Sequence, residues 1–407
     1  MSAVSLEIES LASGGDGVAR HEGLVVFTPR TAPGDLVEAD VRVEGRVGRG
    51  TMQRVVRAGP GRVAPECAHY VAPDRCGGCQ LQHVSLQTQR AAKQQMVADA
   101  FARIARRPVA LPEIHGGEGW RYRRALTLAI RRDGARTWAG LRAHDDPEAV
   151  FALNDCLITD PRVVEAWRAI LAAADQLPPV DRLRGTVRWL DERPLFVLEG
   201  GTDWPALGAF LAAAPSLGAV WWQAEGRRRR IVADRRPAAV PGASFTQVNA
   251  EVSARMQADV VVAVLAHAPR TVVDCYSGGG DVAHALAAHG VQVAAVELDE
   301  EATAWAARRL AAPSRAIAAR VEEVLPRLLP SDVVVLNPPR SGVDPRVTAA
   351  LVARPPQAIV YVSCDPATLA RDVARLAGWR IRALTCYDMF PQTAHVESVC
   401  ELVPEGA

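Results

Sequence analysis

The chain has 407 residues, 49% of them hydrophobic and 23% charged, which is ample for two or three packed domains. Lys and Arg number 47 against 46 Asp and Glu, so no global field draws the protein onto a polyanion, and nucleic-acid binding must rest on local basic patches. The opening MSAVSLEIES lacks a basic leader and an apolar core, and the longest apolar run, Val260 to Ala266, is far too short to cross a bilayer. A soluble, cytoplasmic, monomeric protein with no membrane partner is expected.

Residues 1–58 are short β-rich runs between Gly and Pro turns: VSLEIE, GLVVFTP and DLVEADVRVEG. Such strands predict a small OB-like barrel. Residues 59–240 form a second, α+β region. It opens on Cys67, Cys76 and Cys79 in APECAHYVAPDRCGGCQLQH, a C-x8-C-x2-C pattern. The Gly-Gly interior makes a tight turn that directs two thiolates at one metal. Cys156, in ALNDCLIT, is the fourth candidate ligand, with His69 and His83 available but not needed. Four thiolates suit zinc or an iron–sulfur cluster, and a single C-x2-C pair favours [4Fe–4S]. A helix is predicted at TQRAAKQQMVADAFARIA. Strands are predicted at RRALTLAIRR, TVRWLDERPLFVLEG and AVWWQAEG, and a solvated hairpin tip at Arg227 to Arg230.

Residues 241–407 alternate apolar strands with Ala-rich helices, the pattern of a parallel α/β sheet of Rossmann type. The strands are TVVDCYS, VQVAAVELD, DVVVLN and AIVYVSC. After the first come Gly278, Gly279 and Gly280, which let the backbone approach a ligand at a helix N-terminus. Glu297 closes the second strand, where a carboxylate can accept ribose hydroxyls. Asn337 ends the third, stiffened by Pro338 and Pro339. Gln247 and Asn249 of SFTQVN precede the first helix of this region. Together these predict an adenosyl ligand at the carboxyl edge of the sheet.

AIVYVSC ends in Cys364 and runs into DPATLARDVARL, where Asp365 is a good N-cap and Pro366 suits the first helical position. A thiol beside a helix N-terminus is expected to gain thiolate character. Such a thiolate can add to carbon 6 of a pyrimidine, making carbon 5 nucleophilic towards a sulfonium methyl. A base must then remove the carbon-5 proton. Glu397 in DMFPQTAHVESVCELV is the candidate, with His395 second. Cys275, Cys386 and Cys400 read as core. The residue before Cys364 is Ser363, whereas cytosine-5 enzymes place Pro there, which points to uracil.

These segments resemble the bacterial RNA uracil-5-methyltransferases that carry an N-terminal TRAM domain and a [4Fe–4S] cluster, close to the 5-methyluridine enzymes of large-subunit ribosomal RNA. The likeness lies in IESLASGGDGVARHEGLVVF with APGDLVEADV, C-x8-CGGCQLQH, FTQVN, VVDCYSGGG, VELD, NPPRSG, YVSCDPATLARD and DMFPQTAHVES. It covers most of the chain, weakly at about 100–235 apart from Cys156. The resemblance implies Cys364 as nucleophile and Glu397 as base. It implies S-adenosyl-L-methionine contacts from Gln247, Tyr276, Glu297 and Asn337, and a cluster on Cys67, Cys76, Cys79 and Cys156. Its partner would be RNA, ribosomal first and transfer RNA second. This chain departs from the family at Asn337, where Asp is usual, at Ser277-Gly278 and Asp281, and at Arg320, where an acidic adenine contact is usual. Arg20, His21, Arg121, Arg123 and Arg124 are candidate RNA contacts. The competing readings are tRNA uracil-54 methylation, RNA cytosine-5 methylation, and a non-catalytic RNA-binding factor on the same scaffold.

Overall fold

The structure, a computed structural model, describes residues 3–134, 136–236 and 247–406. The expected boundary at residues 240 and 241, and Ser244 to Thr246 of SFTQVN, lie outside the described residues. Among the described residues no helix is long and apolar enough to cross a membrane.

The first sheet has the order Val4–Glu7, Leu36–Glu44, Val47–Arg57, Leu24–Thr28, Gly17–His21 and Ser10–Leu11. Alternating positions turn Leu6, Ala19, Val26, Val37 and Ala39 into one small core. The edge strands Val4–Glu7 and Ser10–Leu11 are joined through Ile8 and Glu9, whose N–H donates to Val18 O at 2.8 Å, so the chain itself links the two ends of the sheet, as a barrel requires. Two contacts fix this barrel to the cysteine segment. Buried Asp35 takes Gly59 N–H (2.8 Å) and the Arg62 guanidinium (2.7 Å). Arg30 stacks 4.2 Å from the Tyr70 ring and donates to Cys76 O at 3.1 Å.

The central sheet runs Arg230–Asp234, Ala219–Gln223, Arg193–Glu199, Arg182–Leu190, Ala125–Asp133 and Arg136–Gly140. Helices Pro161–Ala172 and Leu207–Ala213 cover one face, packing Trp167 and Phe210 onto Leu126, Leu128, Val187 and Phe196. The run predicted as one strand, TVRWLDERPLFVLEG, is a hairpin. Asp191 and Glu192 both take left-handed φ (48° and 59°) and turn the chain in two residues. Arg227 to Arg229 lie exposed in the turn between Ala219–Gln223 and Arg230–Asp234, as the sequence led one to expect.

The third sheet has the order Arg315–Ala318, Gln292–Glu297, Thr271–Cys275, Val333–Leu336, Ala358–Ser363, Glu397–Pro404, Trp379–Asp388 and Glu113–Gly116. The first five are parallel. Val333–Leu336 and Ala358–Ser363 are buried on both faces, which is why they read as unbroken apolar runs. Fully burying each such Val contributes about 1.5 kcal/mol or more. The expected all-parallel pattern stops there, because Glu397–Pro404 enters antiparallel beside Ala358–Ser363.

One helix ties the sheets together. Leu86–Ala100 starts at Ser85, whose hydroxyl accepts the Thr88 N–H, and buries Gln89 and Lys93. Lys93 Nζ donates to Asp388 Oδ1 at 2.5 Å and to Phe390 O at 3.1 Å. Gln89 Nε2 donates to Gln392 Oε1 (2.9 Å), and the Gln392 N–H returns to Gln89 Oε1 (2.8 Å). The loop 389–396 before Glu397 is therefore held by a helix about 300 residues upstream.

Candidate active site

Cys364 stands where strand Ala358–Ser363 gives way to helix Pro366–Ala374. Asp365 caps that helix, its carboxylate accepting the Thr368 N–H at 2.8 Å, and Pro366 opens it. Ser363 Oγ braces the turn, donating to Asp365 O (3.0 Å) and accepting from Asp365 N–H (3.2 Å). The last antiparallel pair in the register is Ser363 with Ser398. One step further sets Cys364 opposite Glu397, and such neighbours have Cβ atoms roughly 5 Å apart on one face.

Glu397 does not sit at an exposed edge. It begins an interior strand and is 4% exposed. Burial pushes its carboxyl up to about 7, against the pull of Arg340. The Cys364 thiol corrects the expectation of a lowered pKa. Burial raises it, the Glu397 and Asp365 carboxylates add to the rise, and Arg340 only partly opposes them. The helix terminus is outweighed by desolvation and like charge.

Arg340 is a candidate site residue that the sequence did not single out. Its guanidinium acts on both Cys364 and Glu397 and Nη2 donates to His395 Nε2 at 3.4 Å. The imidazole nitrogen of His395 is thus occupied as an acceptor, which weakens it as the alternative base. The segment around Arg340 is anchored from behind. Arg340 O accepts from Thr368 Oγ1 (3.1 Å), and buried Asp372 takes the Val343 N–H (3.0 Å) and the Tyr361 hydroxyl (2.8 Å). Gly342 has φ +79°, and a Cβ there would collide with Asp372, so only glycine fits the close approach. The available signal was the charge that follows the rigid Pro-Pro.

Three of the four expected cofactor residues, Tyr276, Glu297 and Asn337, stand at the ends of neighbouring strands on one edge of the sheet. Tyr276, left-handed at φ 60°, follows strand Thr271–Cys275. Glu297 ends the neighbouring strand, its Oε2 accepting Gly278 N–H at 2.9 Å and its Oε1 accepting Leu298 N–H (2.7 Å) and Asp299 N–H (2.8 Å). Exposed Asn337 ends the strand on the other side, its N–H donating to Cys275 O at 3.2 Å. Gln247 is half-buried. Among the described residues, the buried atoms Gln247 Oε1, Ser277 Oγ and Asp274 Oδ2 have no hydrogen-bond partner. Asp274 went unremarked in the sequence. Fully buried, it is pushed up to about 7 by desolvation despite the Ala283 N–H it accepts. Arg320, the departure noted at the adenine position, is exposed and lies 3.8 Å from the Glu322 carboxylate.

The four N-terminal cysteines come from three separate segments, and their thiols act electrostatically on one another. Burial, then mutual repulsion, raises Cys76 to about 11 and Cys79 to about 12. The Gly78 N–H lies 3.4 Å from Cys76 Sγ. His69 has both ring nitrogens engaged, by Asp74 (2.6 Å) and by the Asn154 N–H (3.3 Å). Among the described residues no group of three or more His, Cys, Asp or Glu side chains is arranged to hold a metal ion. Of the expected RNA contacts, Arg121 is paired with Asp155 at 2.7 Å and donates to Cys156 O at 3.1 Å. Arg123 Nε donates to Ala125 O at 2.8 Å, whereas Arg20 and Arg124 are exposed.

Two family models match this sequence: "tRNA (Uracil-5-)-methyltransferase" over residues 315–403 and "TRAM domain" over residues 2–52. The chain is similar to the 23S rRNA (uracil(1939)-C(5))-methyltransferase of Azoarcus, 33% identical over 96% of this chain and 98% of that one. A counterpart named the same way in Chromohalobacter salexigens is 32% identical, over 97% of this chain and 88% of that protein. Among solved structures it is similar to the tRNA (uracil-54, C5)-methyltransferase of Pyrococcus abyssi in complex with S-adenosyl-L-homocysteine. That match has a TM-score of 0.74 and 24% identity, covering 98% of this chain and 99% of the other.

Proposed function

Because the chain belongs to the TRAM-containing RNA uracil-5-methyltransferase family, we propose that it methylates carbon 5 of a uridine in large-subunit ribosomal RNA, with S-adenosyl-L-methionine as donor. Cys364 is the nucleophile and Glu397 the base. The observation that carries this reading is the register that sets Cys364 opposite a buried Glu397, with Arg340 acting on both.

The chemistry follows from those three side chains. Cys364 loses its proton, and the Arg340 charge offsets the thiolate that results. Sulfur bonds to carbon 6 of a base turned out of its stack, and the ring electrons move towards carbon 5 and the carbonyl oxygen. S-adenosyl-L-methionine supplies an electrophilic methyl group when bound. Once carbon 5 is methylated, the Glu397 carboxylate removes its proton. The electron pair of that C–H bond restores the ring double bond and expels Cys364. A base titrating near 7 is half ionised at neutral pH and still basic enough to act.

Gln247, Tyr276, Glu297 and Asn337 are the proposed cofactor contacts. The unpartnered Gln247 Oε1, Ser277 Oγ and Asp274 Oδ2 support a polar ligand there, since buried polar atoms are ordinarily satisfied. Cys67, Cys76, Cys79 and Cys156 are proposed to hold a [4Fe–4S] cluster. Four soft donors in a largely buried pocket, with an N–H directed at one sulfur, fit such a group.

The test uses RNA carrying 5-fluorouridine, whose carbon-5 fluorine Glu397 cannot remove as a proton. With S-adenosyl-L-methionine, a covalent protein–RNA complex is expected on 23S rRNA transcripts and absent in Cys364→Ala. An adduct on tRNA alone moves the substrate to the T-loop uridine. No adduct with any RNA sinks the assignment.

A further inference from the structure

Helices cover one face of the central sheet; the other face carries arginine. Strands Ala125–Asp133 and Arg182–Leu190 pair antiparallel, with Arg131 directly opposite Arg182 and Ala129 opposite Arg184. Like charges placed opposite each other destabilise a sheet. Only part of this charge is neutralised: Arg182 reaches Glu148 at 3.3 Å and Arg184 reaches Glu199 at 2.8 Å. Arg131 bonds only the Ile130 carbonyl (3.1 Å), and neither it nor Arg142 has a carboxylate partner among the described residues. Burial, then Arg182 and Arg142, hold the Arg131 guanidinium below its usual range, and Glu148, already paired with Arg182, only partly opposes them. The arginines line a cavity of about 790 Å³ whose floor includes Gly77 and Gly78, between the two cysteines of the CGGC turn.

A cross-strand arginine pair that lacks enough counter-charge is an energetic cost in the isolated protein. A planar guanidinium fork recovers that cost when it takes phosphate oxygens in pairs. The lining arginines stand on two strands and on the segment at Arg142 instead of meeting at one point, as suits a strand better than a single phosphate. From this geometry we propose that the uncovered face of the central sheet, at Arg131, Arg142, Arg182 and Arg184, binds the phosphate backbone of the RNA substrate beside the cysteine loop. The proposal rests on the RNA methyltransferase reading and adds where on the middle third, the part with the weakest family likeness, RNA is held.

The test compares full-length wild type with Arg131→Ala/Arg142→Ala. Binding of a fluorescent 23S rRNA transcript is followed by anisotropy across a salt series. Two lost phosphate contacts should weaken binding about tenfold near 0.1 M salt and flatten the slope of log K against log[salt] by roughly 1.4. At saturating RNA the methylation kcat should stay at the wild-type value while KM rises. Removing one member of the repelling pair should leave Tm no lower than wild type, which a structural role for Arg131 would not allow. Arg131→Lys/Arg142→Lys should restore the salt slope. If the double variant misfolds, exposed Arg142→Glu alone must still weaken RNA binding. Unchanged affinity and slope in a folded variant overturn the proposal. So does competition in which uridine monophosphate displaces RNA from the wild type but not from the variant, since that marks a free-nucleotide site. If the wild type itself fails to methylate any RNA, the function assignment fails, and the salt series still reports on the groove.

Discussion

The two cysteine-bearing regions use the same side chain in opposite ways. In the C-terminal sheet, Cys275, Cys386 and Cys400 are wholly buried, whereas Cys364 is partly exposed and stands at a strand end, opposite Glu397. In the central region no thiol is singled out, and four converge from distant segments. The proposed catalytic role of Cys364 rests on one position and its neighbours; the proposed cluster role of the other four rests on their number.

Substitutions can break that contrast. Cys364→Ser should reduce methyl transfer by about 10⁴-fold or more while leaving Tm within a degree or two. A single-turnover assay with labelled cofactor measures it, and residual activity above about 1% would remove Cys364 from the centre of the scheme. Glu397→Gln should lower kcat by about 10²–10⁴ and let the covalent RNA complex accumulate on a gel, because addition still occurs and release does not. Release of the methylated RNA from the covalent adduct, followed in single turnover, should slow about tenfold per pH unit below about 7, as the Glu397 carboxylate takes up its proton.

The same residue gives a stability signature. The folded carboxyl titrates at about 7 against an ordinary 4.5, so the buried neutral form favours folding below 4.5 and that advantage is lost as pH rises through 7. At pH 8 Glu397→Gln, neutral throughout, should be more stable than wild type by up to about 3 kcal/mol. Equal denaturation midpoints at pH 8 would mean that Glu397 is not buried.

Arg340→Ala removes the cation facing both reacting groups and should cost about 10²-fold in kcat, the size of a charge-assisted contact. Arg340→Lys should recover part of it. Cys79→Ser sits at the other end of the comparison: it should abolish the broad absorption expected of an anaerobically purified iron–sulfur protein and lower stability by about 3 kcal/mol. Its loss in kcat, measured on the folded fraction, should stay within about tenfold. A kcat loss as deep as that of Cys364→Ser would erase the distinction between the two regions.

Much of the fold was legible. The strands Val333–Leu336 and Ala358–Ser363 read as apolar runs, and burial on both faces writes that pattern directly into sequence. Asp365 and Pro366 announced their helix. What stayed hidden depends on partners far along the chain. The burial of Glu397 comes from an antiparallel strand inserted between two others, and no local pattern records an insertion. The raised Cys364 thiol reflects a balance of burial, carboxylates and one guanidinium. The pairing of Arg121 needed its distance to Asp155. Arg340 was visible as a residue and invisible as a neighbour.

The reciprocal amide pair between Gln89 and Gln392 joins residues 303 positions apart, and its consequence concerns time. Helix Leu86–Ala100 leaves the ribosome long before the loop it will hold and the strand carrying Glu397. Contacts of such sequence separation close late. We therefore expect the amides of residues 389–396 to gain hydrogen-exchange protection during refolding after those of strand Ala358–Ser363. Simultaneous protection of both segments would contradict that order. Assembled this way, the protein would arm its base only after every earlier part of the chain is in place.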